Sequence, residues 1–192
     1  MTTTTRSVIG HDQVTRTGRI AATGALAGMA GAAAMAMYAM VVAGAVKHTG
    51  YLTPLYHIAS SFVGGSAMMH SMASAMTGSG FYFGAGPALL GLVVHMMMGA
   101  MTGMIFAIAI TRRPVPSALI LAAGAAFGML VLVVNSFVVL PIAAKVFGGG
   151  EPIAHMGRVV GWTHFAVEHL IYGMVLGVIV AAFGARRRAT TA

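Results

Sequence analysis

The chain has 192 residues, with 11 Lys+Arg, 3 Asp+Glu, 8 His, 17 Met, 26 Gly and no Cys. Charged residues make up 7% and hydrophobic residues 58%, whereas a soluble domain carries roughly 25% charged residues. Water-soluble globular, disordered and disulfide-stapled architectures are thereby excluded, and an all-α integral membrane protein is the expected class.

In chain order, residues 1–18 are polar and Thr-rich and are expected to form a disordered cytoplasmic tail. The uncharged interval after Arg19 predicts a first span over 20–46, too long for a cleaved signal peptide. Residues 52–80 come next. Thr53-Pro54 reads as a helix start and Gly64-Gly65 as a stop, leaving two pieces shorter than the ~20 residues that cross a bilayer. They are expected as interfacial or re-entrant helices on the outer side. Further spans are predicted over 87–110, 117–140 and 160–184, so that 19–185 forms a single transmembrane domain followed by a basic tail, 186–192.

Charge placement sets the orientation. With four spans, Arg6, Arg16, Arg19, Arg112, Arg113, Arg186, Arg187 and Arg188 share one side, against Lys47, Lys145 and Arg158 on the other, that is 8 against 3. The richer side is cytoplasmic by the positive-inside rule. Both termini are therefore expected on the cytoplasmic side. The net charge of +8 then points to anionic lipid, not nucleic acid.

The chain also repeats. Val93–Ala109 aligns with Val167–Phe183 at an offset of 74, with six of 17 positions identical in the frame His-x3-Gly-x3-Gly-x3-Ala. Ala22–Ala30 aligns with Ala122–Leu130 at an offset of 100, with five of nine identical. Two helical hairpins in tandem are predicted, forming a polytopic four-helix bundle. Gly24, Gly28, Gly99, Gly103, Gly124, Gly128, Gly173 and Gly177 fall at spacings of four, which puts small residues on one stripe where helices can approach closely.

Polar groups inside spans mark candidate sites. His95 and His169 each lie 8 residues into an inward-running span, after Pro87 and Gly161 respectively, so they should share one depth, roughly 12 Å in. Glu168 shares a helix face with His164 and Tyr172. Imidazole and thioether donors without thiolate suit copper(I), giving His95, His169, His164, Glu168 and Met98 as candidate ligands. His70, Met68, Met72 and Met76 form a candidate outer feeder site. Paired axial histidines flanked by glycine would also suit haem b. A His- and Glu-lined proton or solute path is the third option. In the fourth, these groups only hydrogen-bond across a scaffold and no cofactor is bound. The sequence carries no nucleophile elbow, phosphate loop, dinucleotide fingerprint or metalloprotease motif, so the chain is not expected to be an enzyme on its own.

Gly24-Ala25-x2-Gly28-Met29, Pro54, His95-x3-Gly99, Pro141 and His169-Leu-Ile-Tyr172-Gly173 together resemble uncharacterised bacterial four-helix integral membrane proteins with His-x3-Gly segments. The resemblance implies a multi-pass bacterial membrane protein and supplies no activity. The leading functional expectation is an accessory membrane subunit with a histidine-centred copper site in the outer leaflet half. It would sit among lipids as a homo-oligomer or as part of a larger complex.

Overall fold

The computed structural model describes residues 3–112 and 115–189, with side chains over 13–112 and 115–184. Five of the eight cations assigned to the cytoplasmic side (Arg6, Arg113 and Arg186–Arg188) lie outside the described side chains.

Helix α1 (Thr3–Val41) begins within the stretch expected as a tail and is exposed over 13–19. Its long run of Ala, the strongest helix former, carries it unbroken across the first span. It ends in a π-helical turn, Val42–Val46. Two short helices follow, α2 (Thr53–Val63) and α3 (Ser66–Met76). Pro54 sits in the first turn of α2, where its missing N–H has no partner to lose. Gly64, at φ 77°, adopts the left-handed turn that separates the two helices. Helix α4 (Ala85–Ile110) is the second span.

The third span is longer than the sequence suggests. Helix α5 (Ser117–Val134) passes through a second π-helical turn, Asn135–Val139, into α6 (Leu140–Phe147). Pro141 explains the wide turn, because it offers no N–H to the preceding turn and crowds that turn's carbonyl. Two five-residue helices, α7 (Gly150–Ala154) and α8 (Met156–Val160), lead into α9 (Trp162–Ala189), the fourth span.

Among the described residues, four helices are thus long and apolar enough to cross a membrane, over Gln13–Val46, Ala85–Ile110, Ser117–Phe147 and Trp162–Gly184. Helix α1 packs on α4, α5 packs on α9, and α1 also packs on α9, joining two hairpins. Successive spans run antiparallel, so both ends of the bundle's sequence emerge at one face, the terminal end. Helices α2, α3, α6, α7 and α8 gather at the distal end.

Both hairpins close on glycine. A Cβ at Gly24 would lie 2.6 Å from the Gly103 carbonyl oxygen, and one at Gly124 would lie 2.7 Å from Gly177 Cα. A methyl has no room at either of these two positions, so the backbones are in direct contact there. Toward the terminal end the bundle is filled by Ala27, Phe106, Ile120, Leu176 and Val180. Smaller clusters form the distal cap, Tyr56 with Ala67 and Ala88, and Ala144 with Ile153 and Met156.

Candidate functional site

Between the solid terminal end and the distal cap, the hairpins part around a cavity of about 460 Å³. That volume falls in the range of small-molecule sites. Both π-helical turns lie in its wall, through Val42, Ala43, Asn135 and Val139, and α2 and α8 roof it. Such turns widen a helix locally and recur at functional sites. Most of the lining is apolar, with His57, His95, Thr102, Glu168, His169 and Tyr172 placed among it.

The two repeat histidines stand level. Gly31 of α1 abuts the backbone of Tyr172, and Ala32 abuts Gly99, so Gly99 and Gly173 share a height. One turn farther toward the distal end, His95 and His169 do so too. Their hydrogen bonds differ. The His95 Nε2–H donates to the Ala32 carbonyl across the hairpin, at 2.9 Å. The His169 Nδ1–H donates to the Phe165 carbonyl of its own helix, at 2.8 Å. A carbonyl can only accept, which fixes each tautomer: His95 Nδ1 and His169 Nε2 are lone pairs in the neutral rings.

Three turns of α9 present a ladder of polar groups. At the outer rung, His164 Nδ1 pairs with the Tyr38 hydroxyl at 3.0 Å. At the inner rung, the Tyr172 hydroxyl lies 2.6 Å from Thr102 Oγ1 and 3.1 Å from the Gly99 carbonyl. Thr102 Oγ1 is in turn 2.7 Å from the Met98 carbonyl. The middle rung is Glu168. It is 4% exposed, and its Oε1 has no hydrogen-bond partner. Beside it, His169 is 1% exposed, and its Nε2 is also without a partner. An unpaired buried polar atom costs roughly 1–3 kcal/mol, and here two occur on adjacent residues of one cavity wall.

The remaining candidates are more scattered. His164 is committed to Tyr38 and is not in the cavity wall. Met98 lines the cavity. The Met68, Met72 and Met76 face fans out: Met68 packs with Tyr56 and Ala67, Met72 reaches the cavity, and Met76 is 86% exposed. The His70 ring stacks on Tyr82, with 5.6 Å between centroids. Among the described residues, no three His, Asp or Glu side chains converge as a metal-holding group.

Three features lie outside the candidate ligand sets named from the sequence. His57, on α2, faces the cavity; burial pushes its pKa down to about 4, leaving the ring neutral at physiological pH. Lys47 stands exposed at the rim, with its Nζ 3.4 Å from the Val159 carbonyl. Trp162, the sole tryptophan, stacks on Phe137 at 6.1 Å and tilts against Phe165 at 6.4 Å. Phe165 in turn meets the His169 ring edge-on at 4.7 Å. Pro54 and Pro141, both distal to a small-residue span, were the available signals for a widened distal half.

Comparison with known proteins returns no matching family model, no curated relative and no solved structure of similar fold.

Proposed function

We propose that this protein binds a small amphiphilic solute inside the membrane and serves its transport, using the chamber between the hairpins. One observation carries this reading. A cavity of about 460 Å³ is lined by two consecutive residues, Glu168 and His169, each with a fully buried polar atom that the protein leaves unsatisfied, Oε1 and Nε2. Buried polar groups are almost always paired, so two exceptions on consecutive residues that line one cavity mark where a ligand completes the hydrogen bonding. Apolar walls with a few convergent polar groups are the ordinary make-up of a small-molecule site. The close-packed terminal end, with Phe106, Ile120 and Leu176, blocks passage in this conformation. The chamber therefore faces the distal side, which the positive-inside rule reads as the outside.

The test is saturable binding. Purified protein in lipid nanodiscs is titrated with a panel of small amphiphiles and compared with Ala39→Phe, which places a ring in the chamber wall. At least one compound should bind the wild type and be excluded by the filled variant. A panel with no saturable binder overturns the reading. In proteoliposomes, the same compound should cross faster with protein than without, and Glu168→Gln should slow it.

Copper(I) is the second reading, supported by one observation: the free imidazole nitrogens of His95 and His169 belong to the same wall as Met98. Elemental analysis of the wild type and of the His95→Ala, His169→Ala double variant decides it. Copper that is absent, or unchanged in the double variant, removes this reading, and a visible spectrum tests the haem alternative in the same sample.

A further inference from the structure

We infer that the solute is an amine, an apolar body bearing one primary or secondary amino group that docks against Glu168 and His169. This rests on the chamber reading above and adds the chemistry of its occupant.

His169 has given its only proton, on Nδ1, to the Phe165 carbonyl, so its Nε2 can only accept. His95 has likewise given its Nε2 proton to Ala32. The hydroxyl hydrogens of Tyr172 and Thr102 lie within reach of Gly99, Met98 and each other, so the inner rung is closed on itself. What stays open is a carboxyl oxygen on Glu168 and an imidazole lone pair on the next residue, both buried and unpartnered and both on residues that line the chamber. A ligand that brings only acceptors, such as a ketone, an ether or an ester, meets a donor there only when the carboxyl is protonated, and leaves the imidazole lone pair unpaired in either state. A hydroxyl brings one donor for two acceptors. An ammonium brings two or three donors on one atom, and its charge strengthens each bond to a carboxylate. Whichever partner holds the shared proton, the same hydrogen lies between ligand nitrogen and Glu168 oxygen.

The rest of the chamber supports the class. A bare metal ion would occupy a small part of 460 Å³, and no third His, Asp or Glu closes on the pair among the described residues. The walls from Ala36, Ala39, Val42, Ala43, Leu140 and Val160 are apolar and suit a hydrocarbon or aromatic body. Lys47, the one ammonium in the wall, stays at the rim near the Val159 carbonyl. It forms no salt bridge with Glu168, the ion pair among the described residues being His155 with Glu151.

Two probes with the same body decide the matter. Wild-type protein in nanodiscs is titrated calorimetrically with 2-phenylethylammonium and with 2-phenylethanol. The amine should bind at least about tenfold tighter, the equivalent of about 1.4 kcal/mol. Glu168→Gln should bring the amine down to the alcohol's affinity and leave the alcohol unchanged. Equal or tighter binding of the alcohol overturns the amine assignment while leaving the chamber as a binding site. An amine preference that persists in Glu168→Gln overturns the role of that carboxyl. If neither probe binds saturably, both the assignment and the chamber reading fall. Should Glu168→Gln not fold, the two wild-type titrations still decide, since they need no variant.

Discussion

The two hairpins carry the same small-residue seam but do not use it in the same register. In the first, Gly28 lies against the Gly99 carbonyl. In the second, Gly128 lies against that of His169, one turn away from Gly173, the sequence equivalent of Gly99. Because α4 and α9 stay level, the displaced element is α5, by about 6 Å for four residues. A repeated motif thus gives two different surroundings. His95 is tied across its hairpin to Ala32, whereas His169 is tied to its own helix and keeps a free nitrogen. The repeat supplies two histidines at one height, and only His169 has its uncommitted nitrogen among the fully buried, unpaired atoms.

The largest expected contrast lies at a pair of sequence-equivalent glycines. A Cβ at Gly103 would sit 2.6 Å from Gly28 Cα, whereas one at Gly177 finds nothing closer than 3.2 Å. Gly103→Ala should therefore lower stability by about 1–3 kcal/mol, and Gly177→Ala, whose Cβ would be tight against backbone without overlapping it, should lower it by clearly less. Unfolding in mixed micelles measures both, and equal losses would mean that the hairpins share one register. Next come the histidines. His95→Phe forfeits a cross-helix hydrogen bond and should cost about 1 kcal/mol. His169→Phe forfeits the bond to the Phe165 carbonyl of its own helix but also removes an unsatisfied buried nitrogen, so the ligand-free protein should be unchanged or more stable by less than about 1 kcal/mol. The same sign for both substitutions would sink the distinction.

The two distal caps should differ in their response to acid. His57 in the first cap is held near pKa 4, against an ordinary 6.5. The unfolded chain therefore takes up the proton first, and stability falls as pH drops from about 6.5 toward 4. His57→Gln should flatten that slope in a thermal melt followed across pH, and an unaltered slope would assign it elsewhere. In the second cap, His155 and Glu151 form an exposed pair at 2.8 Å. Exposed pairs contribute little, so Glu151→Gln should shift stability by less than about 0.5 kcal/mol at neutral pH.

Much of the fold was legible. Hydropathy and charge located the four spans, and Thr53-Pro54 with Gly64-Gly65 marked the ends of α2 to the residue. These signals are local, so one sequence suffices to read them. The π-helical turns, the continuation of the third span to Phe147, and α7 and α8 were not read, because they depend on how the distal ends of α1 and α5 splay around a cavity. The site was half legible. Spacing could put His95 and His169 at one height, but it could not say which nitrogen each would commit. That choice is made by backbone carbonyls of Ala32 and Phe165, whose positions follow from packing. Nor could spacing bring in His57, which reaches the cavity from a helix that does not span.

Trp162 touches Phe165, whose ring edge meets His169. The chain therefore carries a native optical gauge. Filling or protonating the neighbourhood of that imidazole should change the emission of a single indole, with no label attached, and occupancy can be followed in real time while the protein sits in a bilayer.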